Sequence, residues 1–316
     1  MGIGGIKMSM FFSLPLRGVI PPLVTPLQDA DTLDQPGLAN LVEHVLSGGV
    51  SGLFLLGSTG EGPSLSKPLQ YEFITEAMML INHRLPVLVG ISDTSFSESL
   101  KLAEHAADAG ADAVVLAPPY YFPSGQPELL EYLEHLAPHL PLPLFLYNMP
   151  SMTKVNIEVD TLRRASDIKN IVGFKDSSSN MIKFHEYLTA MRDRPDFSLL
   201  MGSEELMAEA VLFGGHGGVA GGANICPRLF VDLYNAAKKH DVDQITRLQE
   251  CLFVLRRLYS CGRYSSTFIK GVKCALNLKG ICSDCMEQPF RAFLEPEREQ
   301  VRELLANFEK KYPEFA

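Results

Sequence analysis

The chain has no tryptophan, and it has no cysteine before position 226. All six cysteines (226, 251, 261, 274, 282 and 285) fall in its last third. A disulfide scaffold spreads its cysteines along a short secreted chain, so this distribution points to reduced thiols and a cytoplasmic location. Cys282-Ser283-Asp284-Cys285 is a lone C-x-x-C without the second pair that a structural zinc needs, and no H-E-x-x-H spacing occurs, so no metal is expected. Basic residues are the minority, 28 Lys+Arg against 37 Asp+Glu. The resulting net charge of −9 argues against a nucleic-acid partner, which calls for a basic surface. No run reaches the roughly 18–20 apolar residues that span a bilayer, so no membrane partner is expected. The glycine-rich stretch 214–222 lacks G-x-G-x-x-G in a strand-to-helix setting; close backbone approach to a small anion suits it better than a dinucleotide. No cofactor is expected.

Residues 1–16 are apolar with a single Lys7, lack an A-x-A-like cleavage site, and place Ile6 where a myristoylation signal has Ser or Thr. They read as a disordered or tag-like leader. From Arg17 onward, short continuous apolar runs recur about every 30 residues, at 18–23, 52–56, 87–90, 113–117, 142–147, 171–175, 198–201 and 218–220. Continuous rather than alternating runs mark strands buried on both faces. Between them lie stretches of helical spacing, such as Leu38, Leu41, Val42 and Val45 behind the start signal Asp34 and Pro36. Strand followed by helix, eight times, predicts a (β/α)8 TIM barrel over 17–238, with a doubly wound open sheet as the alternative. Past 239 the strands cease, and helical patterns at 243–259, 266–277 and 295–311 predict a C-terminal helical bundle packed on the barrel.

Catalytic groups of such barrels sit where strands end. Lys175 closes the run Ile171-Val172-Gly173-Phe174, with Ser177 in the loop that begins just beyond. Burial disfavours an ammonium, and a neutral amine is a nucleophile able to form a Schiff base with a keto acid. That requires a fall of about 3 units from the ordinary lysine value, or about 4 kcal/mol. The competing reading is a lysine snorkelling to the barrel rim. Tyr147 ends another strand, where a phenol could pass protons to and from a carbinolamine; a core tyrosine bonded to backbone is the competing reading. Gly57-Ser58-Thr59-Gly60-Glu61 offers two glycines and two hydroxyls as a nest for a carboxylate, or an ordinary capped βα turn.

These segments, together with Arg17 to Pro26, Pro118-Pro119-Tyr120-Tyr121, Tyr147-Asn148-Met149-Pro150 and Gly173-Phe174-Lys175-Asp176, occur in an order and spacing that resembles the dihydrodipicolinate synthase / N-acetylneuraminate lyase family of class I pyruvate aldolases. The resemblance implies a Schiff base between Lys175 and pyruvate, with Tyr147 as acid/base. It implies Gly57, Ser58 and Thr59 around the pyruvate carboxylate, Ser58 also in a proton relay, and Tyr121 lent to that relay across a dimer interface. It places the Val219 carbonyl near the substrate; Ser177, just past Lys175, is a further substrate-binding candidate. By analogy the chain forms a homotetramer, a dimer of dimers. Small molecules, pyruvate or a 2-oxo acid plus an aldehyde, are the implied partners.

The synthases of this family carry an arginine two residues after the proline of Tyr-Asn-x-Pro, and here Met152 stands there. An apolar residue is similar to the neuraminate lyases and 2-keto-3-deoxygluconate aldolases. Gly202-Ser203-Glu204-Glu205 resembles their acidic grip on sugar hydroxyls, with Glu204 as the candidate; Gly221 replaces a lyase serine and Lys154 a usual glycine. The expected activity is cleavage or formation of a C–C bond between pyruvate and an aldehyde, on a 2-keto-3-deoxy sugar acid or N-acetylneuraminate-like compound. A 4-hydroxy-tetrahydrodipicolinate synthase, a deoxy-keto acid dehydratase and a non-enzymatic keto-acid sensor are the alternatives.

Overall fold

Each apolar run becomes a short parallel strand: β1 Gly18–Val19, β2 Leu53–Leu55, β3 Val87–Gly90, β4 Ala113–Leu116, β5 Leu144–Asn148, β6 Ile171–Asp176, β7 Ser198–Met201 and β8 Gly217–Gly218. The computed structural model describes residues 12–316. Neighbouring strands pair in the order β1-β8-β7-β6-β5-β4-β3-β2. The two ends of this sheet meet where the Phe54 N–H donates to the Pro21 carbonyl and the Leu23 N–H to the Phe54 carbonyl, both at 2.9 Å. The barrel is thereby closed. β1 is shorter than the expected 18–23 because Pro21 and Pro22 have no N–H for a ladder.

The strands divide their side chains by a period of two. Phe54, Leu88, Val115, Phe145, Tyr147, Leu200 and Val219 form one buried cluster inside the barrel. Leu53, Leu55, Val87, Val89, Val114, Leu144, Leu146 and Phe174 belong to the larger cluster between sheet and helices. Gly173 is an inward position; a Cβ there would lie 2.3 Å from Cε1 of Phe145, so the missing side chain makes room for that ring beneath Lys175.

The expected leader over 1–16 is only partly a matter of structure, since 1–11 lie outside the described residues. From Phe12 on, the expectation of looseness is wrong. Phe12 and Leu16 are buried in the inner cluster, the Phe12 ring meets Phe145 edge-on at 6.4 Å, and the Leu16 N–H donates to Ser198 Oγ at 2.9 Å. Ser198 begins β7, so this segment plugs the N-terminal end of the barrel, where apolar interior would otherwise face water.

The helices start where side chains satisfy their free N–H groups: Asp34, Ser66, Ser95 and Asn180 each accept from a first-turn N–H. The C-terminal region is helical as expected, with Val242–Leu255, Thr267–Leu278 and Glu295–Lys311. Among the described residues no helix is long and apolar enough to cross a membrane.

Candidate active site

Strands β5 and β6 pair in parallel register with Tyr147 opposite Lys175 and Asn148 opposite Asp176. Both catalytic candidates are therefore inward, adjacent and at the C-terminal mouth. Lys175 Nζ lies 3.8 Å from the centre of the Tyr147 ring and 5.0 Å from that of Phe54. Both residues are buried, and burial lowers the Lys175 pKa, only partly opposed by the charge and hydrogen bond of the facing Tyr147 side chain. Burial alone would raise the Tyr147 phenol. The facing Lys175 ammonium and the hydroxyls of Ser58 and Ser177 outweigh it, and the phenol ends below its ordinary value. Ser58 Oγ stands 3.5 Å from the Tyr147 hydroxyl.

The register is locked by a side-chain network just past the pair. Asn148 Nδ2 donates to Asp176 Oδ1 at 2.8 Å and to Asn156 Oδ1 at 3.0 Å, while its Oδ1 accepts from the Ile157 N–H at 2.9 Å. Burial raises the Asp176 carboxyl, and its donors Asn148 and Ser178 partly offset this. The Ser177 N–H donates to the Asn148 carbonyl at 2.8 Å, which brings Ser177 to Tyr147.

The Gly57–Glu61 segment is a tight loop: Gly60 and Gly62 both donate to the Gly57 carbonyl, and Thr25 Oγ1 donates to the Gly60 carbonyl at 2.6 Å. Thr59 is buried, close to Gly221, where a Cβ would stand 3.5 Å from its hydroxyl. Val219 is buried inside the barrel beside β8. Lys175, Tyr147, Ser58, Ser177, Gly57, Thr59 and Val219 are thus gathered at one mouth.

Tyr121 and Glu204 are not. Tyr121 is 76 % exposed, with its ring against Phe122. Glu204 is buried, and its Oε2 accepts from the Gly222 N–H at 2.7 Å rather than facing an open site. Burial pushes its carboxyl up to about 7, helped by Glu205 and opposed by the Gly222 N–H, the facing Tyr259 hydroxyl and Arg256. Through the bond from Gly222 the side chain braces the loop after β8 beside the C-terminal helices.

A cavity of about 330 Å³ opens beside Tyr147 and Ser58. Its walls include Phe54, Tyr120, Met149, Met152 and Thr153, and also Ser265, Ser266, Ile269 and Phe290 from the C-terminal region. Sequence reasoning missed these last four; nothing in their local pattern marks them. It missed also the fully buried ion pair of Lys273 with Glu61, a signal available only as two charges in apolar surroundings. His216 accepts the Leu199 N–H at Nδ1. Cys282 is free and buried, with its thiol pushed up to about 12 by desolvation, which opposes redox reactivity at the C-x-x-C.

This geometry has close counterparts among known proteins. A solved structure of dihydrodipicolinate synthase from Bacteroides thetaiotaomicron is 55% identical, with a TM-score of 0.92 over 94% of this chain and 100% of that one. The Escherichia coli K12 prophage protein YagE, of the dihydrodipicolinic acid synthase family and solved in complex with pyruvate, is 30% identical with a TM-score of 0.88 over 93% of this chain and 99% of its own. It bears the provisional name 2-dehydro-3-deoxy-D-gluconate aldolase. The 4-hydroxy-tetrahydrodipicolinate synthase of Bradyrhizobium diazoefficiens is 30% identical over 92% of this chain and 96% of its own. The model of the dihydrodipicolinate synthetase family matches residues 15–308. The chain belongs to that family, and it is a class I pyruvate aldolase/lyase.

Proposed function

We propose that Lys175 forms the Schiff base and that the enzyme cleaves or forms the bond between pyruvate and the aldehyde of a 2-keto-3-deoxy sugar acid or N-acetylneuraminate-like substrate. The supporting observation is the buried Lys175 amine held 3.8 Å over the Tyr147 ring, with Ser58 next to the phenol. The amine adds to the C2 ketone, and Tyr147 delivers the proton with which water leaves as the iminium forms. The Tyr147 phenolate then takes the C4 hydroxyl proton. The C3–C4 electron pair flows into the iminium, leaving the enamine of pyruvate and a free aldehyde. Protonation at C3 and hydrolysis release pyruvate and restore the amine.

Gly57, Ser58 and Thr59 receive the pyruvate carboxylate, the Val219 carbonyl and Ser177 border it, and Tyr121 completes the relay of a second copy in a dimer of dimers. An exposed Tyr121 beside an exposed Phe122 is consistent with burial by such a copy. The six free cysteines fit a cytoplasmic setting.

Borohydride with pyruvate is expected to fix a reduced adduct on Lys175; no adduct, with a working control enzyme alongside, would sink the reading. A second reading, 4-hydroxy-tetrahydrodipicolinate synthesis, is favoured by the 55% identity to the Bacteroides thetaiotaomicron dihydrodipicolinate synthase. A deoxy-keto acid dehydratase would instead lose a C3 proton from the iminium, and the resulting enamine would expel the C4 hydroxyl as water with the C3–C4 bond intact. Product analysis with aspartate semialdehyde and with a panel of 2-keto-3-deoxy acids separates the three.

A further inference from the structure

The cavity wall contributed by the C-terminal region is held by a device of its own. Phe290 follows an irregular stretch between the helices Thr267–Leu278 and Glu295–Lys311, and it lines the cavity although 37 % exposed. Lys273 Nζ bonds Glu61 Oε1 at 2.5 Å and the Cys285 carbonyl at 2.6 Å. The other oxygen of Glu61 accepts the Glu287 N–H at 3.0 Å. Glu61 itself ends the Ser58-Thr59 loop, with a left-handed φ of 57°. One buried ion pair thus ties the stretch carrying Phe290 to the loop that borders the pyruvate end.

The chemistry of the walls is equally definite. Among the described residues no lysine or arginine lines the cavity, and the one carboxylate in its wall, Glu61, is already engaged by Lys273. Phe290, Ile269 and Met152 present apolar surface. A substrate carboxylate brought there would lose water and gain no cation, an unfavourable exchange. A carbon chain would gain contact area.

Building on the Schiff-base reading, we infer that the aldehyde half is selected by this C-terminal wall: Phe290 is a specificity-determining residue that favours uncharged aldehydes of limited bulk, and Glu61–Lys273 is the positioning pair that holds it in place.

The test is condensation of pyruvate with butanal, succinic semialdehyde and 3-phenylpropanal, in the full-length enzyme. The wild type is expected to prefer butanal over succinic semialdehyde by about tenfold or more in kcat/KM. Phe290→Ala is expected to raise the 3-phenylpropanal to butanal ratio by about tenfold, because the space it opens suits the ring. Lys273→Met leaves Glu61 buried without its counter-charge, so the doubly neutral Glu61→Gln/Lys273→Met is measured beside it. Either is expected to move the same ratio in the same direction. Equal or better use of succinic semialdehyde by the wild type overturns the inference, as does a Phe290→Ala variant that changes all three aldehydes by one common factor. Failure of the wild type to trap pyruvate with borohydride would instead overturn the Schiff-base reading, so the two failures are distinct.

Discussion

Glu204→Gln is expected to stabilise the protein above neutral pH while leaving it unchanged in acid. Glutamine copies the protonated carboxyl and can still accept the Gly222 N–H, so the substitution removes one thing, the cost of ionising a buried acid. Burial raises this carboxyl from 4.5 to about 7 in the folded chain. A raised carboxyl contributes stability that is complete below the unfolded value near 4.5 and is lost as the pH climbs through about 7. At about 1.4 kcal/mol per unit, that difference amounts to about 3 kcal/mol. The wild-type curve alone will not display it. His216 is lowered from 6.5 to about 4, by burial first and then by Arg17, and the Leu199 N–H already occupies its Nδ1. A depressed histidine works with the opposite sign, adding stability as the pH rises through that interval, and the two effects oppose each other between about 4.5 and 6.5. The readout is therefore the difference between variant and wild type, from urea midpoints and slopes measured across pH 4 to 8. A difference near zero at the acid end that grows to a few kcal/mol at the alkaline end supports the reasoning. A difference independent of pH, or a wild type more stable than the variant at pH 8, refutes it.

Tyr147→Phe keeps the ring beside Lys175 but removes the proton carrier, so kcat is expected to fall by about 10²–10⁴-fold, measured by a coupled pyruvate assay. Asn148→Ala withdraws a donor from buried Asp176 and unpins Ile157; it is expected to cost about 1–3 kcal/mol in denaturant melts and to lower kcat more than it raises KM for pyruvate. Gly173→Ala places a methyl against the Phe145 ring, with a cost of about 1–3 kcal/mol from overpacking, and a paired Phe145→Leu is expected to recover part of it. A neutral effect of Gly173→Ala would show that the barrel interior has more room than the structure gives it.

Much of the architecture was readable in the chain because barrel strands buried on both faces leave an unmistakable trace, and eight such traces with helices between them admit few folds. Lys175 and Tyr147 were readable for the same reason: a polar group closing an apolar run has to emerge at a strand end. The helix starts at Asp34, Ser66, Ser95 and Asn180 follow from local capping chemistry. The plug formed by Phe12 and Leu16 escaped notice because apolar residues ahead of the first strand carry no period that tells a leader from a stopper. The bond from Gly222 to Glu204 was not readable, because sequence gives the position of a carboxylate and not the direction in which it points.

What the sequence determined by itself was local: where strands run, where helices begin, and which side chains stand at strand ends, since each depends on neighbours a few positions away. Only the tertiary structure decided that Lys273 pairs with Glu61, 212 positions distant, that Glu204 braces Gly222, and that Phe290 walls the cavity. Such contacts depend on how packed elements bring remote side chains together, and no pattern along the chain encodes that distance.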